Sequence, residues 1–152
     1  MARNLKYTGV DFSPTMGKEA NLINKAMIAT ESVIFREASI EKLPFKDNSF
    51  DSITTTNTLY FWPHPISNIR ELLRVLKPKG KLLIAYRSKS WIDQLEIAKY
   101  RFEKYENQDV ENLLHNSGFK NISTQTIKEP DLEFEGKALQ MEGIFTTRIK
   151  LR

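Results

Sequence analysis

Residues 43–51 read Leu43-Pro44-Phe45-Lys46-Asp47-Asn48-Ser49-Phe50-Asp51, and the fold follows from this stretch and what stands on either side of it. Pro44 and the run Asp47-Asn48-Ser49 are turn chemistry, whereas Phe50 to Thr56 is rich in β-branched residues and predicts a strand. Downstream, Pro65 suits the first position of a helix, and Ile66, Ile69, Leu72, Leu73 and Leu76 form an apolar stripe that ends at Pro78 and Gly80. Lys81 to Tyr86 then predicts a short buried strand. Upstream, Tyr7 to Phe12 predicts a strand, Ser13 and Pro14 a helix start, and Val33 to Ala38 a further strand. Met16, Ala20, Ile23 and Met27 recur at helical spacing, so the intervening helix is expected to run to about Thr30 and bury one face. Strands joined by helices of this length need crossovers, which is the signature of a parallel sheet built from right-handed βαβ units. The predicted class is doubly wound α/β.

Beyond Arg87 the pattern changes. Apolar residues at 92, 95, 98, 102 and 105 predict an amphipathic helix from Trp91 to Glu106, and Asn107 suits the cap of another helix through His115, closed by Gly118. Asn121 to Ile127 and Ala138 to Ile149 alternate as antiparallel strands do, with the acidic stretch Glu129-Pro130-Asp131-Leu132-Glu133 between them. The expected sheet is therefore mainly parallel with an antiparallel C-terminal pair.

The chain has 152 residues, which fit one domain, and its 40% hydrophobic and 28% charged residues are ordinary for a globular protein. No apolar run approaches the ~20 residues that span a bilayer, and residues 1–6 do not read as a signal peptide. There is no cysteine, which excludes disulfides and thiolate chemistry and suits a cytoplasmic location. The net charge of +4 is modest and dispersed; Lys77, Lys79 and Lys81 make at most a small basic patch, so nucleic acid is not the expected partner. No metal-ligand cluster, phosphate-binding loop or Ser-His-Asp arrangement stands out.

Leu43 to Asp51, followed by Arg74-Val75-Leu76-Lys77-Pro78-Lys79-Gly80-Lys81-Leu82-Leu83-Ile84, resembles the second half of a class I S-adenosylmethionine-dependent methyltransferase, a Rossmann-like fold. Gly9-Val10-Asp11-Phe12-Ser13-Pro14-Thr15-Met16 is similar to that family's second strand and the start of the following helix. The resemblance implies S-adenosylmethionine as cofactor. It gives Asp11 the ribose hydroxyls, a role that suits a carboxylate at the end of a parallel strand, and places Phe12 against the adenine ring. Ser39 and Ile40 fall in the loop that reaches the adenine edge, with Ser39 standing where many relatives carry an acid. Asn57 and the aromatics after it fall in the segment that lines the methionine end and the substrate entrance. Tyr60, Trp62 and His64 are the substrate-side candidates; equally, the aromatic run Tyr60-Phe61-Trp62 can be a cover on the core.

In this family the methyl group passes directly to a nucleophile, so the protein contributes mainly alignment and desolvation, and no obligate acid or base is legible. The same resemblance implies a strand and a glycine-rich cofactor loop ahead of Asp11, about 30 residues of βα unit, where this sequence has ten residues and one glycine, Gly9. The expectation is therefore a single truncated methyltransferase domain, missing its first βα unit, whose exposed sheet edges favour homo-oligomer formation. Its expected activity is methyl transfer to a small-molecule acceptor, impaired in this chain. The alternative is a non-catalytic protein-interaction module derived from such an enzyme.

Overall fold

A computed structural model of the chain describes residues 5–95, 102–134, 137–139 and 142–149. They fall into two compact units, Met1–Pro44 and Phe45–Arg152.

The first unit is a βαβ element. Strand β1 (Tyr7–Asp11) pairs in parallel with β2 (Val33–Glu37), in a register running from Tyr7 opposite Val33 to Asp11 opposite Glu37. Between them lie α1 (Pro14–Ile23) and α2 (Lys25–Ala29). Ser13 caps α1 as expected: its Oγ accepts from the Met16 amide at 3.3 Å, and Pro14 occupies the first turn, where its missing N–H costs nothing. The single helix expected to reach Thr30 is interrupted at Asn24, which leaves helical geometry (φ −100°, ψ 17°) while its side-chain amide donates to the Ala20 carbonyl at 2.8 Å.

The expectation that this helix buries Met16, Ala20, Ile23 and Met27 is also corrected. Met16, Ile23 and Met27 are 55, 77 and 56% exposed, and only Ala20 is half-buried. The half-buried line is Gly17, Ala20, Asn24 and Ile28, on an adjoining side of the helix. A two-stranded sheet is too narrow a floor to cover both lines. Gly9 makes close packing possible within the unit, because a Cβ there would lie 2.4 Å from the Phe35 ring.

The second unit holds β3 (Phe50–Thr56), a 3-10 turn (Leu59–Phe61), α3 (Pro65–Val75), β4 (Leu76–Tyr86), α4 (Lys89–Ile92) and α5 (Asn107–Asn116). It continues through β5 (Ser123–Lys128), β6 (Leu132–Phe134), β7 (Lys137–Leu139) and β8 (Glu142–Ile149). Its sheet has the order β3-β4-β8-β5: β3 and β4 are parallel, and β8 lies antiparallel between β4 and β5. The parallel βαβ followed by an antiparallel C-terminal pair is the expected arrangement. An additional hairpin joins β6, which begins in the stretch expected to be an acidic loop, to β7 at the start of the second predicted strand.

The two sequence stretches that point to the fold meet in space. Asn48 and Ser49 donate backbone N–H bonds to the carbonyls of Arg74 (3.0 Å) and Val75 (2.8 Å). The Arg74 guanidinium returns bonds to the Phe45 carbonyl and Asp47, each at 2.8 Å, and to both carboxylate oxygens of Glu71. Those carboxylates, Glu71 first, raise the Arg74 pKa still further above its ordinary value. Helix α3 stops at Val75 rather than at Pro78, because Leu76, fully buried, enters the sheet opposite Phe50. Lys77 to Gly80 then bulge out before pairing resumes with Lys81 opposite Ser52.

Of the predicted stripe, Ile69, Leu72 and Leu76 are buried and Ile66 and Leu73 half-buried; Val75, outside the stripe, is buried with them, together with Leu82, Ile84 and Tyr86 of β4, Val110 and Leu114 of α5, and Phe119. The helix expected over Trp91 to Glu106 is replaced by the short α4, which begins at Lys89, and by a non-helical stretch at 102–106; positions 96–101 of that expectation lie outside the described residues. Glu106, one residue before the predicted Asn107, caps α5 in a reciprocal box with Asp109, and Gly118 sits beyond its end at φ +101°. Among the described residues no helix is long and apolar enough to cross a membrane.

Candidate functional site

The adenosine-side candidates all lie in the first unit. Asp11 ends β1 at the carboxyl edge of a parallel pair, where open α/β sheets place their ligands. One carboxylate oxygen accepts from the Ser13 amide at 2.8 Å, which orients the side chain at the turn into α1. The Asp11 carbonyl accepts from the Ala38 amide at 3.0 Å, so the chain just before Ser39 is tied to the acid. Ser39 and Ile40 are half-buried beyond that bond. The Ser39 hydroxyl accepts from the Glu41 amide at 3.2 Å and lies 3.3 Å from the Glu41 carboxylate, which makes it a turn-forming group. Phe12 is 74% exposed, an open aromatic face next to the acid.

A groove of about 180 Å³ touches Asp11 and is floored by Gly9, Gly17 and Ala20, with Val10, Met16, Phe35 and Arg36 around it. It includes neither Phe12 nor Ser39 nor Ile40, and it is smaller than the roughly 300–1,000 Å³ of small-molecule sites. It is therefore not a nucleoside pocket in its own right. Gly9, in the middle of β1, is a packing glycine against Phe35 and supplies no cofactor turn.

The methionine-side and substrate-side candidates lie in the second unit, at the carboxyl end of β3. Asn57 turns the chain out of the strand at φ +54°, a conformation asparagine tolerates, and its amide donates to the Ala85 carbonyl at 2.9 Å. Tyr60 and Trp62 are buried, at 7 and 6% exposure, while Phe61 between them is 65% exposed. The Tyr60 hydroxyl donates to the Arg87 carbonyl at 3.2 Å and accepts from the Arg87 amide, fixing the turn to the end of β4. Burial pushes the Tyr60 phenol above the ordinary tyrosine value, against the opposing pull of that backbone bond. His64 is exposed and precedes Pro65 at the start of α3; its amide donates to the buried Asn68 side chain at 3.1 Å.

Two contributors to this edge were not singled out from the sequence. Phe102 packs against Tyr60 and Phe61, with ring centroids 5.9 Å away in each case, and the Glu103 amide donates to the Tyr60 carbonyl at 3.1 Å. Arg87 stacks over Trp91 at 5.4 Å and pairs with Glu129 at 2.7 Å. Phe102 counted as one residue of a helical stripe and Arg87 as a strand end, and no local signal distinguishes either from those roles. As an arrangement, the edge offers an open aromatic step backed by a partly buried, neutralised cation.

A family profile described as "Methyltransferase domain" matches residues 1–84. The ubiquinone/menaquinone biosynthesis C-methyltransferase of Pseudomonas putida is 48% identical over 58 residues, 38% of this chain and 23% of that protein. The tRNA U34 carboxymethyltransferase of Nautilia profundicola is 24% identical over 143 residues, 90% of this chain and 47% of that protein. The chain thus spans about half or less of the length of these curated relatives. Among solved structures, the YcgJ protein of Bacillus subtilis superposes with a TM-score of 0.74 at 16% identity, covering 97% of this chain and 83% of that one, which is a likeness of fold.

Proposed function

The chain belongs to the family of S-adenosylmethionine-dependent methyltransferase domains, and on that premise we propose that it carries cofactor contacts and an acceptor platform for methylating a small apolar molecule. The observation that carries the reading is Asp11, a carboxylate at the end of a parallel strand, held by Ser13 and bonded through its carbonyl to the segment leading into Ser39 and Ile40. That geometry fits a ribose diol, with Phe12 open beside it for a flat ring. Asn57 belongs to the methionine end.

The cofactor supplies a methyl group on a sulfonium; the methyl moves to an acceptor nucleophile, the sulfur keeps the bonding pair, and the acceptor gives up a proton. The chain's own residues bind and orient. Asp11 accepts hydrogen bonds, and Phe61 with Phe102 gives an acceptor an apolar surface from which water is displaced. A planar apolar acceptor suits this step. A nucleic acid suits it poorly, since Lys77 in the basic segment is paired with Asp51 at 2.9 Å. His64, exposed near the same edge, is the residue proposed to face the acceptor.

Calorimetric titration with S-adenosylmethionine tests the reading. Asp11→Ala should lower affinity about tenfold or more, the worth of hydrogen bonds to a charged group, while Phe61→Ala leaves it unchanged. A folded Asp11→Ala chain with undiminished affinity overturns the ribose assignment, and no binding by the folded parent chain favours the interaction-module alternative.

A further inference from the structure

We propose that Glu129 is a specificity-determining residue of the acceptor edge: by holding its carboxylate on the Arg87 guanidinium, it makes the edge take uncharged aromatic molecules and refuse aromatic carboxylates. The inference rests on the reading of this edge as an acceptor platform and adds a charge rule to it. Arg87 and Glu129 meet at 2.7 Å with side chains 18 and 33% exposed, so water and salt screen this pair less than a fully exposed one. A guanidinium just beyond the carboxyl end of a parallel strand is otherwise a ready receptor for a ligand carboxylate, which it can hold through two N–H groups. Glu129 fills that role from within the chain.

Three features make the pair part of the edge rather than an incidental surface bridge. First, Glu129 reaches Arg87 across β8. Gly143 of that strand stands opposite Ile127 of β5, one step beyond the pairing of Ile144 with Tyr86 of β4, and a Cβ there would overlap the Glu129 carboxylate. A glycine inside a strand weakens it, and here its bare backbone opens the passage by which the carboxylate crosses. Second, Tyr60 joins the pair to the aromatic step. Its hydroxyl bonds both the amide and the carbonyl of Arg87, while its ring packs against Phe61 at 6.2 Å and Phe102 at 5.9 Å. Burial raises the Tyr60 phenol most, and the Arg87 charge pulls against it together with the backbone bond, so that charge is felt at the step. Third, Arg87 lies over the half-buried Trp91 ring at 5.4 Å, which sets its position by a flat surface as well as by Glu129. An anionic ring on Phe61 therefore meets a cation already neutralised and the repulsion of the Glu129 carboxylate, whereas a neutral ring meets apolar surface.

Ligand-observed NMR titration with naphthamide and naphthoate, probes that share a ring and a shape and differ in charge, tests this. The parent chain should bind naphthamide about tenfold or more tightly than naphthoate, and Phe61→Ala should weaken naphthamide, which places the probe on the step. Glu129→Gln should remove the preference by raising naphthoate affinity by about the same factor, the worth of a hydrogen bond to a charged group. That gain should fade with added salt and disappear when Arg87→Gln is combined with Glu129→Gln. Gly143→Ala, which crowds the carboxylate from its place without altering any charge, should move the preference in the same direction, with unchanged far-UV circular dichroism verifying the fold of each variant. Equal binding of both probes by the parent chain, or a preference unaltered in both Glu129→Gln and Gly143→Ala, would reduce the pair to a structural bridge and overturn the inference while leaving the platform standing. Binding of neither probe by the folded parent chain would overturn the platform reading and the inference with it.

Discussion

Tyr60 and Tyr86 put two phenols under the surface of the second unit, and each fixes a different side of the end of β4. Tyr60 bonds the backbone of Arg87. Tyr86, 1% exposed, has its hydroxyl 3.2 Å from the Asn107 side chain and 3.5 Å from Thr146, which continues through Thr124 to Glu111. Burial, chiefly, with the Glu111 carboxylate adding to it and the Thr146 bond opposing, pushes the Tyr86 phenol up to about 12 from 10. The folded state thus holds this proton more tightly than the unfolded chain. The resulting stability is complete below pH ~10, where both states are protonated, and is lost as pH rises through the folded value near 12. Urea denaturation at stepped pH should show the chain losing on the order of 2 kcal/mol between those limits, with Tyr86→Phe flattening the decline. A stability independent of pH in that window would show that Tyr86 is not desolvated. At this scale Asp11 was legible because a carboxylate after a strand and before a Ser-Pro cap is a local pattern. Arg87 and Phe102 were not, because their partners Glu129 and Tyr60 are 42 residues away in sequence and their contacts exist only after folding.

The elements that read correctly are those whose signals are local: the Ser13-Pro14 start of α1, the Pro65 start of α3, the strands β3 and β5, and the glycine after α5. Those that misread were decided by tertiary competition. Pro78 marks a helix stop, but the burial of Leu76 ends α3 three residues earlier and turns Lys77 to Gly80 into a bulge. Lys79 at φ +63° carries the reversal. Gly80 closes the bulge: a Cβ there would lie 2.7 Å from a Leu76 methyl and 2.8 Å from the Lys77 carbonyl oxygen. The side chain can shift, but the carbonyl belongs to the bulge itself. Gly80→Ala should therefore destabilise the second unit by roughly 1–3 kcal/mol, read as a lower urea midpoint with unchanged slope. Gly17→Ala, with nothing within 4 Å of its Cβ and a helical position, should be neutral or stabilising. Equal effects of the two substitutions would mean that the bulge tolerates a side chain and that packing of Leu76 does not set the end of α3.

Across the whole molecule the buried apolar side chains are unevenly divided. Among the described residues seventeen lie in the second unit and two, Val33 and Leu43, in the first. The sequence hid this imbalance because periodicity shows which face of a helix is apolar and is silent on whether anything covers it; Met16, Ile23 and Met27 satisfy the pattern and remain open. Each buried large aliphatic is worth about 1.5–3 kcal/mol, so the two units should not share one opening free energy. Native-state hydrogen exchange resolves them. Amides in the paired stretches of β4 and β8 should exchange only through global unfolding, whereas those of β1 and β2 should exchange through a sub-global opening of lower free energy. Uniform protection across β1, β2, β4 and β8 would refute the division.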